Sequence, residues 1–240
     1  AQIEERLQDR FALLRGGDRS APERHRTLEA VIEWSWDLLD AEARAALTAL
    51  SLLPGGFSAE TAAGVLGTAS ADDALDALVA QSLLGVLDDP AGGVRFRMLE
   101  TVREFGIARL RRDGAEESAW ESLYTWARGF VLARAPRVFG PPGSVGPEEF
   151  RVIRAEQDNL LAVLRRALAE RREADVVLVF AVLAQAWVVR GAHTELFGVA
   201  GEAVEVVAGP ATEEVPVDAL AMTLLLCAVV LLAAEDPRTL

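Results

Sequence analysis

Apolar residues change their spacing twice in the first half of this 240-residue chain, and that order of periods limits its fold more than any other feature. From Thr27 to Val79 they recur at helical spacing. Leu83 to Leu87 is then a short apolar run, Asp88-Asp89-Pro90-Ala91-Gly92-Gly93 is turn chemistry, and Val94-Arg95-Phe96-Arg97-Met98 alternates. Helical spacing returns from Glu100 to Arg112. Side chains return to one face about every 3.6 residues on a helix and every second residue on a strand, so the pattern predicts a helical cluster, a β-hairpin and a further helix.

Local signals divide the cluster. A helix from near Thr27 would carry Leu28, Val31, Ile32, Trp36 and Leu39 on its inner side. Asp40 is placed to cap the next, through Ala43, Ala46, Leu47 and Leu50, before Pro54-Gly55-Gly56. Ser58 would cap Ala59–Leu66, with Gly67 as its stop, and Asp72 opens a helix with Ala74, Leu75, Leu78 and Val79 inward. Ahead of these, Ile3, Leu7, Phe11 and Leu14 predict a short amphipathic helix ended by Gly16-Gly17, with a linker to Glu23. After Gly114 the pattern is helix upon helix, over Glu116–Ala135, Glu148–Glu170, Ala174–Arg190, Thr194–Ala208 and Val217–Ala234. Loops are marked at Gly140-Pro141-Pro142-Gly143-Ser144 and Gly209-Pro210.

The formal net charge is -13, and all 24 basic residues are Arg, which reads as genome composition more readily than as a functional signal. An acidic chain is poorly suited to displacing counterions from nucleic acid. The lone Cys227 allows no internal disulfide, and with no signal-peptide pattern at Ala1–Arg6 a cytoplasmic setting is expected. Ala219–Ala234 is nearly all apolar but short of the roughly 20 residues that span a bilayer, so a buried helix is expected there and no membrane contact.

Three stretches carry a resemblance. Arg24 to Leu39 with Gly55-Gly56-Phe57, then Arg95 to Phe105, and finally Ala155-Glu156-Gln157-Asp158-Asn159-Leu160 through Trp187 and Arg190-Gly191 resemble, in order, segments of STAND-type (NB-ARC-like) ATPase transcription regulators of the antibiotic-regulatory and LuxR-like kinds. The resemblance implies a mainly α protein. Residues 1–23 would be the tail of an upstream helical subdomain, 24–113 a winged-helix domain, and 114–240 the start of a tetratricopeptide-like α-solenoid sensor. It also implies a regulatory segment that couples this sensor to a nucleotide-binding domain of the same polypeptide, where ATP or ADP would bind. No cofactor is expected within the chain, which lacks the P-loop Lys.

Met98-Leu99-Glu100 is similar in position to the Met-His-Asp motif of related switch ATPases, with Leu99 where the histidine would be. A leucine side chain forms no hydrogen bond. Arg24, His25, Arg26, Met98, Glu100 and Arg103 are the candidates for interdomain contact or nucleotide sensing; solvated surface positions are the alternative for the charged ones. Direct DNA contact is not expected, because Ala59–Leu66, taken as the recognition helix, holds Glu60 and no Arg, leaving only Arg95 and Arg97 on the wing. His25, His193 and Cys227 form no metal or nucleophilic pattern, and no catalytic residue is expected. The five Trp residues, Trp34, Trp36, Trp120, Trp126 and Trp187, are expected as core anchors. The signal on the helical array would be a protein or a small molecule. Two rival functions stay open: a DNA-binding winged-helix regulator and a freestanding peptide-binding scaffold.

Overall fold

The computed structural model describes residues 23–88, 93–140, 146–207 and 217–235, with residues 23–27, 193, 197 and 229–235 described by their backbone alone. The expected N-terminal helix over Ile3–Leu14, its linker, the hairpin tip and the loops at 141–145 and 208–216 lie outside the described residues. The chain forms two compact units, the first closing at Leu123 and the second running from Tyr124.

The first unit contains α1 (Glu23–Asp37), α2 (Ala41–Leu50), α3 (Ala59–Leu66), α4 (Asp72–Ala80), β1 (Leu84–Asp88), β2 (Val94–Met98) and α5 (Glu100–Arg112). The caps form as the sequence predicts. Asp40 accepts from the Ala43 N–H at 2.8 Å, Ser58 accepts from the Thr61 N–H at 3.0 Å, and Gly67 leaves α3 at φ 66°. The strands pair antiparallel in a register that sets Leu84 opposite Met98 and Val86 opposite Phe96. Phe57 adds a one-residue third strand: its N–H and C=O both pair with Phe96, at 2.9 and 2.7 Å, and the two rings stack at 6.2 Å. Around this frame Leu47, Leu50, Leu53, Phe57, Leu75 and Leu78 are buried. α2 sits at the centre, against α3, α4 and α5.

Three expectations for this unit are corrected. α1 begins at Glu23, a turn earlier than Thr27. It packs against α5 with Ile32, Trp36 and Leu39 buried, while Leu28 is 42% and Val31 51% exposed. Trp34 is 66% exposed and is no core anchor, whereas Trp36, Trp126 and Trp187 are buried. Trp36 meets Phe105 edge-on at 5.6 Å, and the Arg109 guanidinium lies 5.4 Å from the Trp36 ring while pairing with Glu33 at 2.6 Å.

α6 (Glu116–Val138) begins in the first unit and continues into the second, followed there by α7 (Pro147–Ala155), α8 (Gln157–Glu170), α9 (Glu173–Arg190), α10 (His193–Val207) and α11 (Val217–Glu235). α6 runs through Pro136 instead of stopping before it. The single helix expected over Glu148–Glu170 is two helices, broken at Glu156 (φ -99°, ψ 5°). At the break Glu156 is 2% exposed, and its carboxylate accepts from the buried Asn159 side-chain amide at 2.7 Å. α9 is apolar on every side and is buried accordingly, touching α7, α8, α10 and α11. α11 packs on α9 and α10. None of the described helices is long and apolar enough to cross a membrane.

Polar anchors fix α6 within this unit. Arg128 holds Asp175, which is almost fully buried, through two bonds of 2.6 and 2.9 Å, and Arg172 reaches the same carboxylate at 2.8 Å. Tyr124 donates to Glu170 at 2.9 Å. A buried charge is tolerated when it is paired in this way, and breaking the pair is costly.

Candidate functional site

The order helix, one-residue strand, helix, turn, helix, hairpin defines the surface that a winged helix presents. α3, the turn at 67–71 and α4 make the helix-turn-helix pair, and β1 and β2 make the wing. The second helix of such a pair is the one placed to enter a groove, so the recognition position belongs to α4 and not, as the sequence suggested, to α3. α4 buries Ala74, Leu75 and Leu78 and turns Asp72, Asp73 and Asp76 to solvent. Three carboxylates on that face repel phosphates.

The wing adds little positive charge. The Arg95 guanidinium donates to the Gly56 carbonyl, and a Cβ at Gly56 would make a tight contact of 3.2 Å with the Phe96 oxygen. Arg97 is exposed. Instead the wing exposes apolar side chains, with Val86 52%, Leu87 47% and Val94 50% accessible. On α1, Leu28, Val31 and Trp34 are exposed at helical spacing, and Leu38 just after its end is exposed as well.

The sequence candidates fall in different environments. Arg24, His25 and Arg26 occupy the first turns of α1, and their side chains lie outside the described residues. Met98 is buried at the end of β2, opposite Leu84. Glu100 and Arg103 are brought together, the guanidinium donating to both carboxylate oxygens at 2.7 and 3.0 Å and reaching the Ser51 carbonyl at 3.4 Å. Leu99, in the position of the motif histidine, is 66% exposed. Sequence reasoning missed the acidic face of α4 because it assigned the wrong helix. It missed the apolar wing because alternation alone does not say whether either face is covered. Among the described residues no cluster of His, Cys, Asp and Glu could hold a metal ion.

This arrangement defines a winged helix-turn-helix domain, and residues 39–111 match the family of that description. Over 177 residues, 72% of this chain, the sequence is 37% identical to proteins named as HTH-type transcriptional regulators in Mycobacterium tuberculosis and Mycobacterium bovis. The chain spans 19% of their length. It is also 27% identical over 117 residues to an uncharacterized protein of Mycobacterium tuberculosis, covering 47% of this chain and 30% of that one. No solved structure matches the chain. The protein is thus similar to bacterial transcription regulators. That kinship corrects the expectation against DNA contact, which now stands level with contact to protein.

Proposed function

We propose that this chain is a coupling segment of a bacterial, cytoplasmic transcription regulator, in which the winged helix docks on protein and the helices after it form a tetratricopeptide-like receiver for a signal. In the intact regulator its partner is a STAND-type nucleotide-binding domain that holds ATP or ADP, and the chain itself carries out no catalysis. The acidic face of α4 carries this reading, since Asp72, Asp73 and Asp76 stand where a DNA reader needs donors and cations. The exposed apolar residues of the wing and of α1 support it, because grouped exposed apolar side chains mark protein contact.

A second reading, that the winged helix contacts DNA directly, is favoured by the regulator names of the mycobacterial relatives. Selection from a random duplex library with the whole chain, at about 50 and about 200 mM salt, separates the two. Protein docking predicts no enriched motif and no saturable binding at either salt. An enriched motif, bound more weakly when Arg97 becomes Ala and more tightly when Asp72, Asp73 and Asp76 become Asn, would establish the second reading.

A further inference from the structure

Pro147, Phe150, Arg151 and Arg154 recur at helical spacing and so share one face of α7. With Val189 and Arg190, from the last turn of α9, they line a cleft of about 250 Å³ that lies wholly within the second unit. Phe150 is half-buried, and Pro147 and Val189 add further apolar wall. The chain has 24 arginines against 37 acidic residues, yet three of those arginines meet here and no carboxylate lines the cleft. The sign of the charge is locally reversed.

Two of the three guanidiniums have counter-charges beside the cleft. Arg151 pairs with Glu148, and Arg190 with Glu195 at 3.1 Å. Both pairs are exposed and therefore weak, and each leaves further N–H donors of its guanidinium to spare. Arg154 is exposed as well, and it has neither an ion-pair nor a hydrogen-bond partner among the described residues. One positive charge is thus left over, which matches a single negative one, and the planar fork of a guanidinium suits a carboxylate. We propose that this cleft binds a small organic carboxylate, its apolar body against Phe150 and Val189 and its carboxylate accepting from Arg154. The volume, slightly below that of drug-sized sites, suits a body of one or two rings. The site is independent of what the winged helix contacts.

Equilibrium dialysis of the whole chain against 2-naphthoate, its neutral isostere 2-naphthamide and the dianion 2-naphthyl phosphate tests this. The wild type should bind naphthoate at one saturable site, and more tightly than either of the others. Arg154→Gln should weaken that binding about tenfold, since a charge-assisted bond is lost. Val189→Glu places a carboxylate in the cleft at a position already 57% exposed, and should weaken it at least as much. Arg165→Gln removes the same charge from an exposed site on α8 outside this cleft, and should leave binding unchanged. No saturable binding by the wild type, or wild-type affinity in Arg154→Gln, overturns the site. An equal loss in Arg165→Gln does so too, since the effect would then belong to the charge of the whole molecule. Equal binding of naphthamide, or tighter binding of the phosphate, overturns the carboxylate. Should Arg154→Gln lose helical circular dichroism, Val189→Glu decides the outcome in its place.

Discussion

Tyr124 is the single tyrosine of the chain and Cys227 its single cysteine, and the sequence contains no lysine. In the unfolded chain only these two side chains titrate in moderately alkaline solution, because arginine stays protonated. Burial, and then the hydrogen bond to Glu170, push the Tyr124 hydroxyl well above its ordinary value, while burial pushes the Cys227 thiol up to about 11. Both folded values are raised, so the neutral forms contribute stability that is full below the unfolded values, near 8.5 and 10, and lost as pH rises through the folded ones. The urea midpoint should therefore hold level from about pH 7.5 to about pH 8.5 and fall above it. Tyr124→Phe should make that fall shallower. Tyrosinate absorbance, which reads one residue here, should rise only together with loss of helical circular dichroism.

Gly106 shows how one residue sets the distance between elements. It faces the end of α2 from within α5, where an added Cβ would lie 1.8 Å from Ser51 Oγ and 2.8 Å from Ser51 Cβ. Helix propensity alone favours alanine there by about 1 kcal/mol. Overpacking costs about 1–3 kcal/mol and decides the sign, so Gly106→Ala should lower the stability measured by urea unfolding, and Ser51→Gly should restore much of it. Nothing in the sequence around Gly106 marks this approach, since Ser51 is 55 residues away. By contrast Asp40, Ser58 and Gly67 were legible, because a cap acts on backbone groups within three or four residues of itself. The break at Glu156 was not. It lies at a buried Glu156 bonded to Asn159, with neither Gly nor Pro to announce it. α9, rich in valine, formed the helix that its length indicated, although its β-branched residues alone would suit a strand equally well.

For the whole molecule, a net charge of -13 opposes compaction through self-repulsion. Screening relieves this, so the thermal midpoint followed by circular dichroism should rise by a few degrees between about 10 mM and about 0.3 M sodium chloride. A midpoint independent of salt would mean that the acidic groups are already locally compensated, as Glu33, Glu149 and Asp175 are by arginines. By itself the sequence determined the helical character, the caps, the hairpin and the acidity, each of which arises from periodicity, from contacts a few residues apart or from a sum over the chain. Only the tertiary structure decided that α4 takes the second position of the helix-turn-helix pair, that Trp34 and the wing stay uncovered, and that the helical stretch over Glu148–Glu170 breaks at Glu156. Those properties depend on which elements meet, and elements far apart in sequence leave no local trace of their meeting.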